Sequence, residues 1–164
     1  MKDWKLVLIA FSPMFIGIFY RVGVQLPFVG DVILYAVPLI MLFYWFWAGM
    51  AFSRAVKGTF RAVLYGNAAG FVSVLLYIWQ VVILPEGERS PLLAGISGLF
   101  TASTELFSMR LANILEPVPG EPTLVTQFGA MLIGFSFLLV CFVEGHLRGK
   151  APKEDETGNG RAGR

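Results

Sequence analysis

The sequence predicts an all-α integral membrane protein, a four-helix transmembrane bundle with one additional outer helix, amphipathic or partly inserted. Three observations carry this. The 164-residue chain is 56% hydrophobic, 15% aromatic and only 15% charged, more apolar than a soluble domain of this size can hide. Charges withdraw from long stretches: 32–52 and 123–143 each run about 21 residues without an ionised group. At about 1.5 Å per residue either run reaches across the ~30 Å hydrocarbon core. Finally, ten of the thirteen Lys and Arg residues fall in three segments that an even number of crossings places on one side.

The first element follows Lys2 and Lys5, which precede the apolar run 6–20. A signal peptide would show a small-residue cleavage site here, whereas Arg21, Val22, Gly23, Val24 and Gln25 come next. The run is therefore a retained helix, about 5–26, with Arg21 snorkelling to the outer interface and Pro13 bending the axis. Asp31 is the expected N-cap of a second helix, 32–52, which carries Pro38 and the aromatic run Phe43, Tyr44, Trp45, Phe46, Trp47. A short basic loop leads to a third helix, 62–84, stopped by Pro85, and the last crossing, 123–143, follows Pro122. These elements make a transmembrane domain of residues 1–149. Residues 150–164, rich in Gly, Lys and Glu with little to bury, form a disordered cytoplasmic tail.

Orientation follows from the basic residues. Lys2 and Lys5, Arg54, Lys57 and Arg61, and Arg148, Lys150, Lys153, Arg161 and Arg164 lie on one side, with Arg21, Arg89 and Arg110 on the other. Basic residues are retained inside, so both termini are expected in the cytoplasm of a bacterial-type cytoplasmic membrane. The segment 91–115 opens with Ser90 and Pro91, a cap followed by proline at the first helical position, and closes at Glu116-Pro117. As a crossing it would bury Glu105 and Arg110, at about 2.5–3.5 kcal/mol each near the centre, and would put the basic tail outside. It is therefore expected to be a non-spanning outer helix, with Leu92, Ile96, Leu99, Phe100, Leu106, Phe107, Leu111 and Ile114 on one face, lying on the bundle or dipping partly in.

The chain is poor in chemistry. A net charge of +2 does not argue for nucleic acid, and the lone Cys141 excludes an intrachain disulfide, a dithiol pair and multi-cysteine zinc. One histidine, His146, sits in Glu144-Gly145-His146-Leu147-Arg148, read as an interfacial charged cluster. Gly95-Ile96-Ser97-Gly98 lacks the spacing and strand context of a hydrolase elbow. No catalytic residue, metal or cofactor is expected, and the chain is not expected to be an enzyme.

Packing signals are stronger. Ala62, Gly66, Gly70, Ser73, Tyr77 and Gln80 recur at spacings of four, four, three, four and three, one narrow seam containing a small-xxx-small pair. Gln127, Ala130, Gly134, Cys141 and Gly145 form a matching seam on the last helix. Helix packing is thus assigned to Gly66, Gly70, Ser73, Ala130 and Gly134. Gln80 and Gln127 come out at similar depth below the outer face, and helical projection puts Arg110 within the apolar face of the outer helix. Arg110 either snorkels to lipid phosphates or, with Gln80 and Gln127, forms a ligand site for an anionic headgroup or small anion. The expected partners are the lipid bilayer and a membrane protein or a second copy. The expected role is association, as an accessory, regulatory or assembly subunit, with an oligomeric small-solute or ion transporter as the alternative.

Overall fold

The structure is a computed structural model that describes residues 3–105, 108–110 and 124–150, of which the side chains of Asp3, Leu124 and Val125 are excepted. Residues 106–107 and 111–115 of the expected outer helix, the first residue of the expected last helix (Thr123) and the tail from 151 onward lie outside the described residues. All regular structure is helical, and no strand occurs among the described residues. Helix α1 spans Asp3–Gly23, α2 Gly30–Ala55, α3 Thr59–Gly66, α4 Ala68–Tyr77, α5 Pro91–Ser97 and α6 Leu124–Lys150. A π-helical stretch, Ile78–Ile83, prolongs α4. Trp4–Gly23, Gly30–Ala55 and Thr126–Lys150 are long and apolar enough to cross a membrane, and α3 with Ala68–Ile83 makes a fourth such element if the bent pair is one span.

Helix α1 stops at Gly23, short of the expected 26, because the chain tightens into i→i−3 bonds from Gln25 to Val22 and from Leu26 to Gly23. Phe28 then takes a left-handed backbone, φ +68°. The turn delivers the chain into α2 two residues early, so Asp31 lies inside the first turn rather than at the cap, which Val29 occupies without a side-chain bond. Its carboxylate still favours the positive end of the helix dipole. The expected third helix is broken at Asn67, and its halves differ in direction by 58°. Asn67 is fully buried; its amide donates to the Val63 carbonyl (3.1 Å) and its carbonyl oxygen accepts from Trp45 Nε1 (3.0 Å). The side chain thus competes with the backbone ladder between two glycines that resist bending weakly.

Directions follow from contacts. The Ser12 and Tyr44 hydroxyls are 2.8 Å apart and Gly23 abuts Ile33, so α1 and α2 are antiparallel. Helices α2 and α6 run parallel: Gly145 lies on the Phe46 backbone, Gly49 on the backbone of Phe142 and His146, and Gly149 against Met50 and Ser53. At these points no Cβ fits, and the two backbones touch. That contact extends α6 to Lys150, seven residues past the expected end, helped by an Arg148–Glu144 ion pair of 2.7 Å. The α3–α4 pair runs antiparallel to α6, with Gly66 receiving the Phe142 ring, Gly70 the Phe135 and Phe100 rings, and Tyr77 stacking on Phe128 at 5.8 Å. These directions gather Lys5, Arg54, Lys57, Arg61, Arg148 and Lys150 at one end of the bundle, where Lys150 Nζ donates to Thr59 Oγ1 (3.1 Å).

The largest departure concerns 91–115. Ser90 caps α5 as expected, its hydroxyl accepting from Leu93 N–H. The α-helix ends at Ser97, however, and the chain turns through 98–101 and a 3₁₀ turn, Ala102–Thr104, before resuming helical form. This segment does not merely lie on the bundle. Ser97, Phe100 to Thr104 and Ser108 are all buried within it. Phe100 reaches Trp45 edge-on at 5.7 Å and Phe135 at 5.9 Å in the centre of the core, and the Leu99 carbonyl rests on Gly17 of α1.

Candidate functional site

The inserted segment carries a row of hydroxyls, Ser97, Thr101, Thr104 and Ser108, at helical spacings of four, three and four. A backbone that leaves the α-helix inside an apolar bundle must satisfy its polar groups locally. The hydroxyls do so: Ser97 donates to the Ala94 carbonyl (2.7 Å), Thr104 to Thr101 (2.9 Å) and Ser108 to Thr104 (2.9 Å). Ser73 of α4 donates to the Ser97 carbonyl, fixing the end of α5. Gly134 of α6 makes room for the row, since a Cβ there would lie 2.6 Å from Ser108 Oγ and 2.8 Å from Thr104 Oγ1.

Beside this row, in the half of the bundle away from the basic end, opens a cleft of about 280 Å³. Among the described residues its charged groups are Arg21, in the last turn of α1, and Glu105, just past the 3₁₀ turn. Thr101, Ser108 and Gln127 supply polar wall, and Ala130 and Met131 of α6 supply apolar wall. Tyr77 completes it from α4; the side chain is only 9% exposed and its hydroxyl has no hydrogen-bond partner among the described residues. The Arg21 guanidinium passes over Gly98, with Nη2 2.9 Å from where a Cβ would stand. The volume falls just below the ~300–1,000 Å³ typical of small-molecule sites.

The ligand set expected from the sequence is not brought together. Gln127 lies on the cleft. Gln80 is buried, 2% exposed, in the π-helical stretch, where its side-chain oxygen accepts from Ser90 N–H (2.9 Å); it secures the start of α5 and does not line the cleft. Arg110 is exposed and turned to α2, its Nη2 3.5 Å from the Tyr35 hydroxyl and its guanidinium 5.9 Å from the centre of that ring. Arg110 therefore does not line the cleft: the helix is broken at Gly98, and Phe107 and Ile114 of the apolar face on which it was projected lie outside the described residues. Arg21 takes the place assigned to Arg110. The five packing residues, Gly66, Gly70, Ser73, Ala130 and Gly134, are buried. His146 is fully buried against Gly49 rather than in a charged cluster, while its neighbours Glu144 and Arg148 pair with each other.

Sequence reasoning placed Arg21 at the outer interface without assigning it to the site, and missed Glu105, Tyr77 and the hydroxyl row as cleft residues. The 4-3-4 spacing of Ser and Thr was the available signal, overlaid by the stronger apolar period of the same segment. No group of three or more His, Cys, Asp or Glu positioned to hold a metal occurs among the described residues. Comparison with known proteins gives no match to a family model, a curated protein or a solved structure.

Proposed function

We propose that this is a four-crossing integral membrane protein with both termini on the cytoplasmic side of a bacterial-type membrane, and that it binds a small polar solute in the Arg21–Glu105 cleft while serving a membrane partner as an accessory subunit. The crossings are α1, α2, the bent α3–α4 element with its π-helical extension, and α6. The observation that carries the reading is the burial of the irregular, hydroxyl-bearing segment at Ser97, 100–104 and Ser108. Irregular backbone at membrane depth is tolerated where it is enclosed by protein or lines a polar cavity, and discontinuous helices mark solute sites in membrane proteins. Two further features support it. Outward faces carry large apolar side chains, including Phe15, Phe19, Phe43, Phe60 and Val140, as lipid contact requires. The basic residues gather at one end, as retention inside requires.

The test has two arms. Reporter fusions after Arg61 and after Lys150 should both read as cytoplasmic; an outside reading for the second alone means that the 91–110 region crosses. In a Cys141→Ala background, Thr101→Cys should react with a membrane-impermeant maleimide added from outside. Protection of that thiol in the folded protein defeats the solute-site reading.

A second reading, transport through an oligomer, is favoured by the break at Asn67 and the π-helical stretch, since both give the third crossing places to flex. Solute flux in liposomes carrying the purified protein separates the two: an accessory binding subunit gives none on its own.

A further inference from the structure

We infer that the ligand of the cleft is a zwitterion, a small molecule bearing one carboxylate and one ammonium group, with Arg21 meeting the carboxylate and Glu105 the ammonium. The inference rests on the reading of the cleft as a solute site and names the chemistry of its occupant. Arg21 and Glu105 come from separate elements and share the wall of one cleft. The ion pairs among the described residues are Arg89–Glu86 and Arg148–Glu144, so the two cleft charges do not neutralise each other. A simple anion attracted by Arg21 meets Glu105, and a simple cation attracted by Glu105 meets Arg21. A ligand carrying both charges meets both residues at once.

The remaining wall agrees with that assignment. Ser108, one helical turn after Glu105, gives its hydroxyl proton to the Thr104 carbonyl, leaving only acceptor capacity toward the cleft, which suits an ammonium group. Tyr77 closes the cleft with its ring, its hydroxyl being buried behind the wall. Ala130 and Met131 give an apolar floor for a short hydrocarbon side chain. The cleft, at about 280 Å³, is of the size that takes a small molecule. Gly98 is the positioning residue for the cation. Its backbone is ordinary, φ −87° and ψ −6°, so an alanine there is resisted only by the tip of Arg21.

The experiment measures the thermal midpoint of the full chain in mild detergent, at mildly acid pH, against L-valine, N-acetyl-L-valine (an anion) and L-valine methyl ester (a cation). Valine should bind at least tenfold more tightly than either derivative, seen as a midpoint rise that saturates at lower concentration. Arg21→Gln should make the ester the preferred ligand and Glu105→Gln the acetyl derivative. Gly98→Ala should weaken valine several-fold without moving the ligand-free midpoint downward. Since Arg21 and Glu105 are exposed, the ligand-free midpoints of their variants should match that of the parent and report that they fold. Equal binding of the acetyl derivative or of the ester overturns the inference and leaves an anion or a cation site. No binding by any of the three overturns it as well. The maleimide reaction of Thr101→Cys then decides whether a water-filled cleft survives without this ligand class.

Discussion

Gly17→Ala puts the inserted segment to the sharpest test. A Cβ at Gly17 would stand well inside van der Waals contact of the Leu99 carbonyl oxygen, 3.1 Å from its carbon and 3.2 Å from the Ala102 methyl. None of these atoms ends a flexible side chain, so the segment that carries Phe100 into the core must retreat by about an ångström, or α1 must move away. Overpacking of this kind costs about 1–3 kcal/mol. For a chain of this length that corresponds to a fall of about 2–12 °C in Tm, at ~2–4 °C per kcal/mol. Gly129→Ala in α6 is the matched control. It meets nothing within 4 Å, and in a helix interior the change should be neutral or stabilising by about 0.5–1 kcal/mol. Thermal unfolding of both variants in the same detergent, followed by tryptophan fluorescence, gives opposite signs if the reasoning holds. A Gly17→Ala midpoint equal to that of Gly129→Ala refutes the placement of Leu99 on α1 and with it the insertion of the segment.

Other outcomes follow from single contacts. Asn67→Leu leaves the buried Trp45 indole N–H without its 3.0 Å partner, so stability should fall by about 1–3 kcal/mol, whereas Trp45→Phe in the Asn67→Leu background should recover part of it. Gly145→Leu should prevent accumulation of folded protein, because the Phe46 backbone occupies the space; Gly158→Leu should leave expression and monodispersity unchanged. Arg110→Gln removes an exposed contact with Tyr35 worth about 0.5–1 kcal/mol at most, and its valine affinity should equal that of the parent, unlike that of Arg21→Gln.

The charge-free runs made α1, α2 and α6 legible, because an uninterrupted apolar stretch has few alternatives to a helix. The seam from Ala62 to Gln80 was legible for a related reason: small and polar residues at a 3.6-residue period share one face whichever neighbour covers it, and all six are buried. What the seam faces was not legible. Gly66 and Gly70 take up phenylalanine rings, and close backbone contact belongs to glycines outside the seam, Gly17, Gly49, Gly145 and Gly149 among them. Gly145 and Gly149 form a small-xxx-small pair, but Glu144, His146 and Arg148 among them read as the end of a helix. The break at Asn67 depends on the Trp45 indole, a partner 22 residues away that local propensity does not register. That Arg110 lies off the cleft has the same origin, since a projection is valid only while the helix is continuous.

The parallel contact of α2 with α6 has a mechanical consequence. Where glycine sits on a neighbour's backbone, the surfaces interlock at the scale of single atoms and neither sliding nor rotation is free, as for any close-packed solid. These two helices therefore behave as one stiff plank. Aromatic rings lodged in glycine hollows, as at Gly66 and Gly70, can tilt by rotating a side-chain torsion, so the α3–α4 element meets α6 through the softer contact. The cleft lies across this boundary, with Gln127, Ala130 and Met131 on the plank and Tyr77 on α4. Tilting of α4 on its ring contacts therefore changes the width of the cleft between Tyr77 and the α6 wall.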